Sequence, residues 1–245
     1  MNISVVILAG GVGSRMKSTL PKSLHKVKNI PMITRIINTT LSLKPTEIIV
    51  LCSPLTYKQT KLVVDNDFRL SEIYTKIRYE LQPLPEGTGH AAKHAIKNIN
   101  NRKNVLILNG DSPFITIKTL QRMIKTDIPK LIISKKKNPF GNGRIFCGKN
   151  NEVYRIVEEK DCSEKERQVN IVNGGMYYIN RRLLEYLLSY VTNNNKQNEY
   201  YITDIIEIYN KKLNQYFEGV FCNEFELQNV NTKEQLDQCN NVCQL

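Results

Sequence analysis

At 245 residues the chain is long enough to bury one sizeable core and does not require two independent domains. Its six scattered cysteines, without a Cys-x-x-Cys pair, indicate neither a disulfide framework nor a zinc site, and no apolar run approaches the ~18 residues of a spanning helix. The formal net charge of +12 raises nucleic-acid binding, but the one dense basic run, Lys135-Lys136-Lys137, has no interleaved aromatic residues and no DNA- or RNA-binding pattern around it, so a solvated face is the better reading and neither nucleic acid nor membrane is expected as a partner.

Residues 1–11 carry neither the basic start nor the small-residue cleavage site of a signal peptide and read as the first strand of a cytoplasmic protein. That strand, near 4–9, is rich in Val and Ile, the composition of a strand covered on both faces. Pro31 then starts a helix with Ile33, Ile36, Ile37 and Leu41 on one face. Strands follow near 47–52 and 74–81, Thr88 opens a helix through Ile99, and another strand occupies 104–109. Such alternation signals crossover units, so the expected fold is α/β, Rossmann-like, with a mixed, mostly parallel sheet. The second half is less regular: 129–160 reads as strands around a Lys149-Asn150-Asn151 turn, 171–179 as a strand, and 181–191, 200–213 and about 233–243 as helices. No repeat or linker divides the chain, which therefore reads as a single domain over 1–245, with halves of about 1–115 and 116–232 and a helix over 233–245.

Chemistry enters where the first strand breaks. Gly10 and Gly11 let the backbone turn tightly and bring its N–H groups to an anion, Arg15 can fork two phosphate oxygens, and Lys22, in Leu20-Pro21-Lys22, adds a point charge. A lone glycine-rich turn is usually an ordinary strand-to-helix turn, but the Arg and Pro-Lys that follow tip the balance toward a nucleoside triphosphate. Two other patterns fail. A dinucleotide fingerprint needs a small residue where Met16 stands, and the P-loop spacing from Gly143 to Lys149 has Asn150 in place of the hydroxyl and falls on a strand. His90 and His94 have metal-pair spacing, yet Ala91 replaces the zinc-protease glutamate and the pair reads as helix-face residues. In an open sheet, ligands bind beyond the carboxyl ends of the strands, which gives 10–15, 82–88 and 109–111 a common address. An isolated Gly-Asp turn is more often structural, but the location shared with the phosphate loop makes a hard cation held by Asp111 the better reading.

Further stretches carry a resemblance: Leu8-Ala9-Gly10-Gly11-x-Gly13-x-Arg15-Met16 with Leu20-Pro21-Lys22, Leu81-Gln82, Gly87-Thr88-Gly89-His90-Ala91, Gly110-Asp111, Gly143-Arg144-Ile145, Ile156-Val157-Glu158, Asn173-x-Gly175, Thr192-Asn193-Asn194-Asn195, and Glu199-Tyr200-Tyr201-Ile202-Thr203-Asp204-Ile205-Ile206. Over about residues 3–232, in this order, the chain resembles the uridylyltransferase domain of the bifunctional bacterial enzymes of the GlmU type, which make UDP-N-acetylglucosamine. The resemblance implies that Leu8, Ala9, Gly10, Gly11 and Gly13 wrap the nucleotide together with Asn109 and Gly110, with Arg15 and Lys22 on the phosphate side. Gln82, Gly87 and Thr88 match positions that read the uracil edge. Gly143, Glu158 and Asn173 match sugar-binding positions, Tyr201 and Thr203 those of the acetamido pocket, and Asp111 and Asn231 the Mg²⁺ ligands. Packing at a helix start is the plain reading of Tyr200 and Tyr201 without the resemblance.

The implied reaction is in-line attack of N-acetylglucosamine 1-phosphate on the α-phosphorus of UTP, with Mg²⁺ as cofactor and pyrophosphate leaving. Pro85 stands where the family usually has a glutamine, Asn109 where an aromatic is common, and Gly174 where a threonine is usual. The family's β-helix acetyltransferase domain is not expected in this chain. The alternatives are transfer to another sugar 1-phosphate, as in glucose-1-phosphate thymidylyltransferases, and a catalytically silent sugar-nucleotide sensor. Homo-oligomerisation is left open.

Overall fold

The computed structural model describes residues 3–100 and 103–242. Its first half runs through β1 (Ile3–Leu8), a short hairpin of β2 (Lys26–Val27) and β3 (Ile30–Pro31), α1 (Met32–Leu41), β4 (Glu47–Cys52), α2 (Pro54–Phe68), β5 (Ile77–Leu81), α3 (Thr88–Ala95) and β6 (Asn104–Asn109). Then come α4 (Ile117–Met123), β7 (Lys130–Lys135), β8 (Arg144–Cys147), β9 (Glu152–Val157), α5 (Glu164–Arg167), β10 (Ile171–Asn180), α6 (Arg181–Leu188), α7 (Asp204–Leu213), β11 (Phe217–Phe221) and α8 (Lys233–Val242). One sheet carries both halves, in the order β5-β4-β1-β6-β10-β7-β11-β9-β8.

The parallel pairing is concentrated in the first four strands of that order, whose carboxyl ends therefore lie along one edge. Beyond β6 the sheet turns mixed: β10 is antiparallel to β6 and β7, β11 is parallel to β7, and the β8–β9 hairpin closes the far end. Alternation along β1 explains its apolar character, broken only by Ser4, whose hydroxyl is tied to Glu47. Ile3, Val5 and Ile7 pack with Ile33, Ile36 and Ile37 of α1 on one face, whereas Val6 packs with Ala91, Ala92 and Ala95 of α3 on the other. With helices on both faces, no position of the strand meets solvent for long. At the amino-terminal edge, Glu47 accepts hydrogen bonds from Ser4 at 2.6 Å, Lys103 at 2.8 Å and Arg78 at 2.9 Å.

Several elements depart from the expectations. The strand expected over 74–81 starts at Ile77, because Ser71 caps a helical turn at Glu72–Lys76. The helix from Thr88 ends as regular helix at Ala95, although Ile96 and Ile99 remain buried. The helix expected over 200–213 begins only at Asp204. Residues 200–202 are held instead by the loop before α3 and its first turn: Tyr200 N–H donates to Glu86 O at 2.8 Å, Gly89 N–H to Tyr200 O at 2.7 Å, and Ile202 N–H to Thr88 Oγ1 at 3.1 Å. The Tyr200 carbonyl, which a helix starting there would use as an acceptor for its own chain, is thereby committed to Gly89. The hairpin turn at Lys149-Asn150-Asn151 and the last helix agree with the sequence, residues 243–245 lying outside the described ones. Among the described residues no helix is long and apolar enough to cross a membrane.

Candidate active site

The loops after β1, β5 and β6 open onto a cleft of about 360 Å³. Leu8, Ala9, Gly10 and Gly11 form one wall, Gln82, Gly87 and Thr88 a second, and Asn109, Gly110 and Asp111 the floor near Lys22. The common address expected from strand order is thus real in three dimensions.

The tight turn sits elsewhere than expected. Gly10 and Gly11 are not among the described residues with positive φ, whereas Gly13 has φ of 71° and begins the helical turn Ser14–Met16. A Cβ on Gly13 would stand 2.9 Å from Lys22 Cβ, so this glycine lets the loop close against the lysine. It does not line the cleft itself.

Lys22 is the centre of the charged end. Its Nζ donates to Asp111 Oδ2 at 2.6 Å and to Asn231 Oδ1 at 3.0 Å, and Arg15 Nη2 reaches the same Asn231 oxygen at 3.2 Å. Asn231 is brought there by a backbone bond from Val230 N–H to Asp111 O, 3.1 Å, and by its own N–H to Gln235 Oε1 at the start of α8. One cationic group therefore satisfies two oxygens from distant segments, the donor set that a hard cation also takes. Among the described residues no group of three or more His, Cys, Asp and Glu side chains could hold a metal. A cation here would rest on Asp111 and Asn231, with water and phosphate oxygens completing its shell.

At the opposite end, Gln82 is buried, with Nε2 donating to Gly87 O at 3.3 Å and its amide oxygen 3.5 Å from the point a Gly10 Cβ would occupy. Gly87 has φ of 105°, and a Cβ there would stand 2.6 Å from Tyr200 O. His90 and His94 lie on the α3 face, their Nε2 atoms 3.1 Å apart, as helix-face residues.

The residues matched to sugar binding form a second cluster that does not line this cleft. Asn173 N–H donates to Gly143 O at 2.9 Å, and its side chain donates to Tyr177 OH at 2.9 Å and accepts from Gly175 N–H at 2.9 Å. Thr203 Oγ1 donates to Glu158 Oε1 at 3.0 Å, with Gly143 packed beside the Glu158 carboxylate. Burial pushes the Glu158 carboxyl above its ordinary range, and Asp161 and Glu199 add to that against the Thr203 hydrogen bond. The Tyr201 phenol accepts from Gln197 Nε2 at 2.6 Å and is pushed up to about 12, chiefly by burial. Asn109 Nδ2 reaches Gly174 O at 3.4 Å, and Glu199 lines the cleft, so the two regions share a border. Sequence reasoning missed Ser23, Glu199 and Asn229 as cleft-lining residues. The Asn229 signal was available in its position two residues before Asn231.

A family model described as nucleotidyl transferase matches residues 4–223. A protein of Acanthamoeba polyphaga mimivirus named "Probable UDP-N-acetylglucosamine pyrophosphorylase" is 36% identical, across 97% of this chain and 95% of its own length. The bifunctional protein GlmU of Nitrosococcus oceani is 40% identical over 84% of this chain but 44% of its own length, so the chain spans about half the length of such bifunctional relatives. A solved UDP-glucose pyrophosphorylase complexed with UDP-glucose superposes with a TM-score of 0.81 over 100% of this chain and 99% of that one, at 16% identity, which is a likeness of fold. The match over most of the sequence, together with a cleft at the parallel-strand carboxyl ends, makes this chain a member of the nucleotidyl transferase family.

Proposed function

We propose that the protein makes UDP-N-acetylglucosamine and pyrophosphate from UTP and N-acetylglucosamine 1-phosphate. The observation that carries this reading is the Lys22 ammonium bridging Asp111 and Asn231 at one end of a cleft whose other wall is Gln82 and Gly87. A triphosphate placed with its phosphates at Lys22 has its base toward the buried Gln82 amide, where an unpaired polar edge would reject a mismatched base. The relatives named for UDP-N-acetylglucosamine synthesis support the same substrates.

The bond formed joins a phosphate oxygen of the sugar phosphate to the α-phosphorus of UTP, and the bond to the β-phosphate oxygen breaks. The nucleophile is already anionic, so no general base is required. Arg15, Lys22 and the N–H groups of the loop after β1 hold and neutralise the phosphates, and alignment of the two anions supplies much of the rate. The oxygen-only pair of Asp111 and Asn231 fits Mg²⁺, which when bound supplies charge neutralisation on the triphosphate. Asn173, Glu158 and Thr203 form the sugar end, with Tyr201 and Thr203 on the acetamido arm. A UTP-consuming reaction also fits the cytoplasm expected from the sequence.

Pyrophosphate release across a matrix of nucleotides and sugar 1-phosphates tests the proposal. Activity concentrated in UTP with N-acetylglucosamine 1-phosphate is expected. Preference for glucose 1-phosphate, or no turnover while nucleotide sugar still binds, would replace it with a glucose-type transferase or a sensor.

A further inference from the structure

Asn229 belongs to the cleft wall but to no motif considered so far. Its Oδ1 accepts a 2.7 Å hydrogen bond from the hydroxyl of Ser112, which is fully buried. Turning the amide over would put Nδ2 against that hydroxyl and deprive its proton of this acceptor, a cost the buried site resists. Oδ1 is therefore committed to Ser112, and the N–H₂ group is the edge left for a ligand.

Both partners sit at the charged end. Ser112 follows Asp111 in the chain, Asn229 precedes Asn231 by two residues, and the bond from Val230 N–H to Asp111 O ties the two segments together at 3.1 Å. A neutral donor beside Lys22 and Asp111 suits an anionic oxygen, because it adds a charge-assisted hydrogen bond without repelling a bound cation. Resting on the reading of this cleft as a nucleotidyl-transfer site, we propose that Asn229 Nδ2 donates to a phosphate oxygen of the substrates, and that Ser112 is a positioning residue holding the amide in that orientation.

The test compares Asn229→Ala, Asn229→Asp and Ser112→Ala with the wild type in kcat, both KM values, UTP affinity by calorimetric titration, and Tm. Asn229→Ala is expected to lower kcat/KM about ten- to a hundredfold, with a lower Tm because the buried Ser112 hydroxyl loses its acceptor. Asn229→Asp keeps the acceptor for Ser112 and the side-chain size, yet is expected to lose at least as much. Ser112→Ala, which frees the amide to turn, is expected to lose less than Asn229→Ala, mainly in KM. An Asp variant that matches wild type in activity overturns the assignment. So does an Ala variant within twofold of wild type. A wild type active only on another sugar phosphate removes the substrate reading alone, and the same variants on that substrate then decide the role of Asn229. A wild type inactive on every pair overturns the transfer reading, and the UTP affinities of the same variants then decide the role of Asn229.

Discussion

Lys22 Nζ lies 2.6 Å from Asp111 Oδ2 and 3.0 Å from Asn231 Oδ1, so one ammonium joins groups 89 and 209 residues away in sequence. Removing Asp111 leaves Asn231 facing Lys22 and Arg15, and removing Asn231 leaves Asp111 with Lys22 alone. Asp111→Ala and Asn231→Ala are expected to lower kcat by about 10²- to 10³-fold while the protein stays folded, since each takes one contributor from transition-state charge stabilisation. Steady-state pyrophosphate release on variants checked by circular dichroism measures this. Near-wild-type turnover by Asp111→Ala would remove the cation assignment.

Gly87 connects the nucleotide wall to the segment leading into α7. An alanine there would adopt φ of 105° and press its Cβ to 2.6 Å from Tyr200 O and 2.9 Å from Tyr200 N. The expected outcome for Gly87→Ala is a loss of about 1–3 kcal/mol in urea unfolding, together with weaker UTP binding. An unchanged unfolding midpoint would show that the loop relaxes freely.

On the proposed reading, sugar choice rests with the second cluster. If Tyr201, Thr203 and Asn173 recognise the acetamido arm, N-acetylglucosamine 1-phosphate should exceed glucose 1-phosphate in kcat/KM by about ten- to a hundredfold, the effect of one or two buried polar partners. Competition assays with both sugars present report that ratio. Equal efficiency would move the assignment to the glucose-type reaction.

Two carboxylates should shape the pH dependence of stability in opposite directions. Asp204 is raised to about 6, first by burial and then by the charges of Glu158, Glu207 and Asp161. It holds its proton to higher pH in the folded than in the unfolded chain, so its favourable contribution fades as pH climbs from about 4 to 6. Asp204→Asn should therefore be more stable than wild type at pH 7, the difference closing near pH 4. At Glu47 burial is outweighed by the hydrogen bonds from Lys103, Ser4 and Arg78, which hold the carboxyl below its ordinary range. Its contribution is present above the unfolded value and disappears as pH falls through the folded one. Glu47→Gln should cost on the order of 1 kcal/mol at pH 7, after solvent screening, and converge with wild type in acid. Thermal unfolding from about pH 2 to 7 reads both curves, and parallel curves for Asp204→Asn between about pH 4 and 7, or for Glu47→Gln below about pH 4.5, would contradict them.

Elements were legible where burial is two-sided or periodic. β4 and β6 fall at 47–52 and 104–109 as read, because a short run of apolar residues bounded by polar ones fits few places other than a strand covered on both faces. The helix α2 escaped. Its buried face is Thr56, Thr60, Val64 and Phe68, while Leu55 and Leu62 point outward at 79% and 62% exposure, so the apolar pattern does not follow the packing. The short strand β11, with Glu218 and Gly219 inside it, shows no alternation and is a strand only because β7 and β9 flank it. The late start of α7 has the same origin, in backbone bonds to a loop more than a hundred residues earlier.

The sequence alone determined the α/β plan and the meeting of three loops beyond the strand ends, because these follow from local composition and from the polarity of parallel strands. Only the tertiary structure decided that Gly13 carries the left-handed turn, that Asn231 shares an ammonium with Asp111, and that Ser112 fixes the Asn229 amide. Those are contacts across long stretches of chain, and no spacing rule links residues whose closeness depends on how the sheet is ordered.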